Sequence, residues 1–172
     1  MSYLQGTEIV QASISDHDQQ TINENEEQDD QSEDDEQIYE KVLIAGGDSS
    51  DDLSAIHAST ELYDQSIRLW TNTGYLNIGR TCFAASILPD GKLLISGGYD
   101  GVNLTASAEL YDSLTGRWIN TTKMSWERWW HTLSQLTDVN VLALGGDYHF
   151  EPSTCELYNT STGLWEPTGR LN

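Results

Sequence analysis

Leu93-Leu94-Ile95-Ser96-Gly97-Gly98 leads, eleven residues on, to Glu109-Leu110-Tyr111-Asp112, and that in turn to Trp118. The same landmarks stand in the same order on both sides. Upstream they are Val42-Leu43-Ile44-Ala45-Gly46-Gly47, then Glu61-Leu62-Tyr63, then Trp70. Downstream they are Val141-Leu142-Ala143-Leu144-Gly145-Gly146, then Glu156-Leu157-Tyr158, then Trp165. The Glu-Leu-Tyr triplets are spaced by 48 and 47 residues, each Trp falls seven residues after its Tyr, and Arg80 and Arg128 each fall seventeen residues before the next Gly doublet. Four landmarks in fixed order at one period define an internal repeat, with units of about 42–77, 78–125 and 126–172 inside a repeat region 38–172.

Within a unit the apolar runs are four to six residues long, rich in β-branched and aromatic residues, and broken at close intervals by turn chemistry, the signature of short strands. The complete middle unit predicts strands at Phe83 to Leu88, Lys92 to Gly97, Ala106 to Asp112 and Arg117 to Asn120. Pro89-Asp90-Gly91 joins the first two as a tight hairpin. Asp112-Ser113-Leu114-Thr115-Gly116 joins the last two, and Asn159-Thr160-Ser161-Thr162-Gly163 repeats it, with Asp or Asn capping the turn and Gly taking the left-handed position. The first unit has Arg68 where the others have Gly, which costs about 1 kcal/mol if the backbone keeps its shape. The fold class is therefore all-β, in four-stranded antiparallel units. The first unit enters at its second strand, so the array is expected to hold about eleven strands.

A Gly doublet ending an apolar strand, then Glu-Leu-Tyr, then Trp, then Arg before the next unit, all at roughly fifty residues, resembles the kelch repeat. The resemblance implies three β-propeller blades of four antiparallel strands arranged radially in an incomplete ring. It also implies that His131, which replaces Phe83 at the same repeat position, matches the family's usual His. An array with two open edge blades is expected to belong to a larger propeller or to self-associate through those edges.

The recurring residues Gly46, Gly47, Gly97, Gly98, Gly145 and Gly146, Glu61, Glu109 and Glu156, Tyr63, Tyr111 and Tyr158, Trp70, Trp118 and Trp165, and Arg80 and Arg128 are read as framework. Glycines relieve crowding at the narrow end of a blade. Tryptophans fill the space between blades, and each Glu inside a strand needs a cation, for which the two arginines are the candidates across a blade junction.

Charge divides the chain. Of 28 acidic residues thirteen lie between Met1 and Glu40, where there is no Lys or Arg, and fifteen face all eight basic residues in the rest. Residues 1–37 are predicted to be a disordered acidic tail, because between Asp16 and Gln37 Ile22 is the only apolar side chain and nothing offsets the ordering entropy. A short amphipathic start, Tyr3 to Ile14, is the one part of the tail able to dock. A net charge of −20 and the lack of a cationic patch exclude nucleic acid as partner. No stretch has the length of an apolar membrane span, and the absence of a basic start with an apolar core favours an intracellular protein. Sequons at Asn103, Asn120 and Asn159 leave that reading open. Cys82 and Cys155 show no disulfide or metal spacing.

Function is sought where the units differ. Trp126, Trp129 and Trp130 crowd one junction that has no tryptophan at its equivalent, Asn77 to Phe83, and indole rings bring large apolar area with a donor to binding sites. The loops after the Gly doublets also differ: Asp48, Asp51, Asp52 and His57 in the first, Tyr99 and Asp100 in the second, Asp147, Tyr148, His149 and Glu151 in the third. Their oxygens have no calcium-loop spacing. Trp126, Trp129, Trp130, Tyr148 and His149 are the candidate binding residues, the expected activity is that of a binding or scaffolding module for a protein or glycan, and no cofactor is implied. The alternative rests on a resemblance of some kelch-like propellers to copper radical (galactose or glyoxal) oxidases, for which His131, His149, Tyr148 and Cys155 supply residue types. No nucleophile, phosphate-loop or zinc motif accompanies them.

Overall fold

The computed structural model describes residues 41–49, 55–137, 139–146 and 153–171, together with the backbone of 9–10. Its elements are all strands: β1 (Ile9–Val10), β2 (Lys41–Ala45), β3 (Thr60–Asp64), β4 (Leu69–Asn72), β5 (Ala84–Ile87), β6 (Leu93–Ser96), β7 (Ala108–Asp112), β8 (Arg117–Asn120), β9 (Thr132–Thr137), β10 (Asn140–Leu144), β11 (Thr154–Asn159) and β12 (Leu164–Arg170). They form three four-stranded sheets, each in simple sequence order, with every neighbour antiparallel. Among the described residues no helix is long and apolar enough to cross a membrane.

The strand count corrects the sequence reading. The first unit does not lack its first strand, because Ile9–Val10 supplies it, with Ile9 opposite Ile44 and Val10 opposite Leu43. Residues 11–40 therefore connect two neighbouring strands of one blade. Apart from those two residues, the stretch 1–37 lies outside the described residues.

Strand β6 shows why the middle unit reads as a continuous apolar run. All four of its residues are buried, since both faces are covered. Leu93 and Ile95 join Tyr111 and Trp118 against Leu43, Ala45 and Leu76 of the first blade. Leu94, on the opposite face, packs with Met124 against Val141, Tyr158 and Trp165 of the third. The core is thus two interblade layers. First strands β5 and β9 lie against each other, so the sheets converge at their first strands and splay toward their fourth.

Turn chemistry sets the register. Gly91 takes φ 79°, its N–H donating to the Leu88 carbonyl at 2.9 Å, and the Lys92 N–H is caught by the Asp90 carboxylate at 3.1 Å. In the second hairpin the Gly116 N–H donates to the Asp112 carbonyl at 2.8 Å and the Asp112 carboxylate accepts from the Leu114 N–H at 2.9 Å. The first blade keeps this backbone despite its different residue: Arg68 has φ 56°, beside 65° at Gly116 and 68° at Gly163.

Replacing Arg68 by Gly should raise the unfolding free energy by roughly 0.5–1 kcal/mol, by removing a Cβ from a left-handed residue. Trp118→Ala should lower it by about 3–5 kcal/mol, through the emptied interblade layer and the lost indole hydrogen bond to Thr60 at 3.2 Å. Urea denaturation at one fixed protein concentration measures both.

Candidate functional site

Each blade junction is fixed by an arginine that serves two blades. The Arg80 carbonyl accepts from the Gly47 N–H of blade one at 2.8 Å, while its guanidinium turns into blade two, donating to the carbonyls of Gly97 (2.9 Å) and Ser107 (3.1 Å) and to Glu109 Oε1 at 2.7 Å. Arg128 repeats this one unit on. Its carbonyl accepts from Gly98 N–H at 2.7 Å, and its guanidinium reaches Gly145 and Thr154 carbonyls and, at 3.3 Å, Glu156 Oε1. The ion pairs therefore close within a unit, and the arginine itself crosses the junction through its backbone carbonyl. Burial pulls the Arg80 guanidinium below its ordinary value and the adjoining Glu109 carboxylate opposes that shift. Glu109 also accepts from the N–H groups of Asn77 and Ile78, which leave blade one.

The Gly doublets act at this contact, at the end of the second strand. A Cβ on Gly46 would lie 2.5 Å from the Arg80 carbonyl oxygen, and one on Gly97 would run into that of Arg128. Both also have φ near +65°, at 61° and 67°. Close approach of the next blade's backbone and a left-handed turn, more than crowding inside a blade, demand glycine here. Glu61 is exposed in its strand, so it bears no desolvation cost.

On this face of the blades the turn carrying each arginine meets the loop after the preceding Gly doublet. Asp48 and Thr81 occupy the meeting point at the first junction, where the Thr81 hydroxyl donates to the Asp48 carboxylate at 2.9 Å. At the second, the same two repeat positions hold Tyr99 and Trp129, with ring centroids 6.4 Å apart. Trp129 stacks on Trp130 at 4.3 Å and 20°. Trp130 is 61% exposed and sits at φ 52°, the left-handed region, where its equivalent Cys82 has φ 57° and is buried. Its N–H donates to the Cys82 carbonyl at 2.9 Å, which ties the two turns together and holds the backbone there.

Of the five candidate binding residues, Trp129 and Trp130 come together. Trp126 stands aside, half-buried, with its N–H directed to Glu156 Oε1 at 3.3 Å. Tyr148 and His149 lie outside the described residues, as do Asp51, Asp52, Asp147 and Glu151. Tyr99, which the sequence places in a variable loop but not among the candidates, joins Trp129 and Trp130. Its signal was its repeat position, one residue past the doublet, on a loop that must meet the next arginine turn. The neighbouring carboxylates serve their own loops: Asp100 accepts from the N–H groups of Val102 and Asn103 at 2.8 and 2.7 Å. Among the described residues no three His, Cys, Asp or Glu side chains gather as a metal site would require.

His131 occupies the slot of Phe83, packed against the Gly doublet of the preceding blade. Its Nε2 lies 2.9 Å from the Ser96 hydroxyl, and Nδ1 has no partner among the described residues. Burial, with the Arg128 charge adding to it, lowers its pKa to about 4. Cys155, the other described member of the oxidase set, directs its thiol to the Ser153 carbonyl at 3.9 Å.

A radial array of four-stranded antiparallel blades, joined by buried arginines and presenting variable loops on one face, is a β-propeller module. The family model for the Kelch motif matches residues 80–125, from the first junction arginine to the end of the second unit. Residues 80–125 are thus a kelch repeat, and the units before and after them repeat its landmarks and its antiparallel sheet. No curated protein matches the chain.

His131 yields a pH prediction. The folded chain keeps the ring neutral down to about pH 4, whereas the unfolded chain protonates it near 6.5. Between those values the unfolded state binds more protons, so this contribution is complete above about pH 6.5 and is lost as pH falls toward 4, by on the order of 3 kcal/mol. His131→Phe, the residue blade two already uses, should flatten the dependence of the urea midpoint on pH over that window. An unchanged slope would locate the proton uptake elsewhere.

Proposed function

We propose that the chain is a kelch binding and scaffolding module whose partner, a protein segment, docks on the face carrying Tyr99, Trp129 and Trp130. The observation that carries this reading is Trp130: a bulky residue held in a left-handed backbone conformation with its ring largely in solvent. Such a residue costs on the order of 1–3 kcal/mol in strain and gains little packing in return, a combination that marks recognition surfaces rather than cores. The framework around it repeats from junction to junction, while the pair at the meeting point changes from Asp48–Thr81 to Tyr99–Trp129, as expected where a constant scaffold carries recognition on its loops.

The surface also suggests what the segment presents. Stacked indoles accept an aliphatic or aromatic anchor, and their faces attract a cation. The blades and their loops carry fifteen acidic residues against eight basic ones, so a segment with Arg or Lys beside its anchor is favoured. A glycan is the second reading, supported by the flat Trp129–Trp130 pair, which suits a sugar ring.

Selection of binders from a displayed random-peptide library and from a glycan array on the purified chain, repeated with Trp130→Gly, separates these outcomes. Peptide binders should predominate and lose at least tenfold in affinity on the variant, whose melting temperature should not fall because glycine adopts φ 52° without strain. Binders indifferent to the substitution would refute the assignment of this face.

A further inference from the structure

Thr81 links the two meeting points on the loop face. Its hydroxyl donates to the Asp48 carboxylate of blade one at 2.9 Å, while in blade two its N–H donates to the Tyr99 carbonyl at 3.0 Å and its carbonyl accepts from the Tyr99 N–H at 2.8 Å. That exchange is an antiparallel bridge, and residues directly opposite in such a bridge project their side chains to one side. The Asp48 carboxylate and the Tyr99 side chain therefore flank Thr81 on one side of the backbone. From Tyr99 the row continues to the Trp129 ring, 6.4 Å away, and from there to the Trp130 ring at 4.3 Å.

Charge along this row has one sign. Asp48 and Asp100 are half-buried, and Glu127, two residues before Trp129, is exposed. The cations of the same turns, Arg80 and Arg128, are buried, and each is matched by a glutamate, Glu109 at 2.7 Å and Glu156 at 3.3 Å. Asp100 spends Oδ1 on the amides of its own loop, whereas Asp48 accepts from Thr81 through one oxygen and a carboxylate offers about four acceptor positions. Asp48 thus stands beside an aromatic ring with acceptor capacity to spare. A guanidinium suits that pair, because its plane stacks on a ring while its edge donates to a carboxylate; an ammonium has no plane to stack.

We infer that Asp48 and Tyr99 together select an arginine in the docked segment, its guanidinium edge on the Asp48 carboxylate and its plane on the Tyr99 ring, with the apolar anchor of the segment on Trp130. An extended chain rises about 3.3 Å per residue, so the two ring steps from Tyr99 to Trp130 place the arginine about three residues from the anchor. The inference rests on the binding reading of this face and adds which residues set the sequence read there. Trp130 holds the anchor whatever its neighbours, and Asp48 discriminates arginine from other side chains beside it.

Peptides selected from the random library on the purified chain supply the probe: one with Arg about three residues from its anchor, and the same peptide with that Arg changed to Lys or to Gln, each titrated against the unaltered chain and Asp48→Asn. Asparagine keeps an acceptor oxygen for the Thr81 hydroxyl, so the variant should melt at the unaltered temperature. The Arg peptide should lose about tenfold in affinity on the variant and the Gln peptide less than about twofold, and the preference for Arg over Lys should disappear. On the unaltered chain, added salt should weaken the Arg peptide more than the Gln peptide. Peptides that need Trp130 but show no arginine enrichment, or an equal loss of the Arg and Gln peptides on Asp48→Asn, would overturn this inference and leave the docking face in place. Peptides indifferent to Trp130→Gly would overturn both.

Discussion

A charged guanidinium placed where no water reaches it is the constraint on which the other contacts depend. Arg80 is completely buried, and an ion there would be prohibitive without full hydrogen bonding. The repeat supplies that bonding from three directions: carbonyls at the ends of two strands of its own blade, a glutamate from the third strand, and, for that glutamate, backbone amides of the chain leaving the blade before. The arginine carbonyl meanwhile holds the preceding Gly doublet. A buried ion pair of this kind contributes little net stability compared with apolar packing, but its several partners admit one geometry. What it fixes is the relative position of successive blades, and the layers around Trp118 and Trp165 then contribute the apolar burial.

Much of this was legible in the sequence because the constraint repeats. Each unit places a carboxylate, two glycines and an indole at fixed separations, two of them add the guanidinium, and a spacing met three times is hard to misread. The strand limits were legible to within a residue or two, Ala84–Ile87 for an expected Phe83 to Leu88, whereas the departure of Arg68 from glycine pointed to a changed turn and the backbone there is the same left-handed one. The first strand was not legible. Ile9–Val10 is two residues long and separated from its partner Lys41–Ala45 by thirty positions in which apolar periodicity is absent, so no local signal joins them. The crowding at the glycine doublets was not legible as such, since the carbonyl that approaches Gly46 and Gly97 belongs to a residue some thirty positions away.

The candidate site was half legible for a related reason. A cluster of tryptophans stands out in any sequence, but which of them share a surface depends on the junction. The Trp126 backbone N–H is spent on the buried Glu156, whereas Trp129 and Trp130 stack on each other, with Trp130 itself in the left-handed region and its ring in solvent. Tyr99 joins them only because the loop after one blade's glycines meets the next blade's arginine turn. The same positions at the neighbouring junction carry Asp48 and Thr81, so one backbone arrangement presents a polar pair in one place and an aromatic stack in the next. Besides Arg68, the left-handed non-glycine residues among those described are Cys82 and Trp130, equivalent positions joined by a backbone hydrogen bond.

Native-state hydrogen exchange of the Gly47 and Gly98 amides tests most directly whether the arginine turns hold the blades together. Both donate to a carbonyl of the following blade, at 2.8 and 2.7 Å, from loops that would otherwise exchange freely. The account predicts that they are protected to the same free energy as the amides of β6, opening only when the blades separate. Exchange as fast as that of the exposed turn amides at Ser66 and Leu114, with β6 still protected, would contradict it.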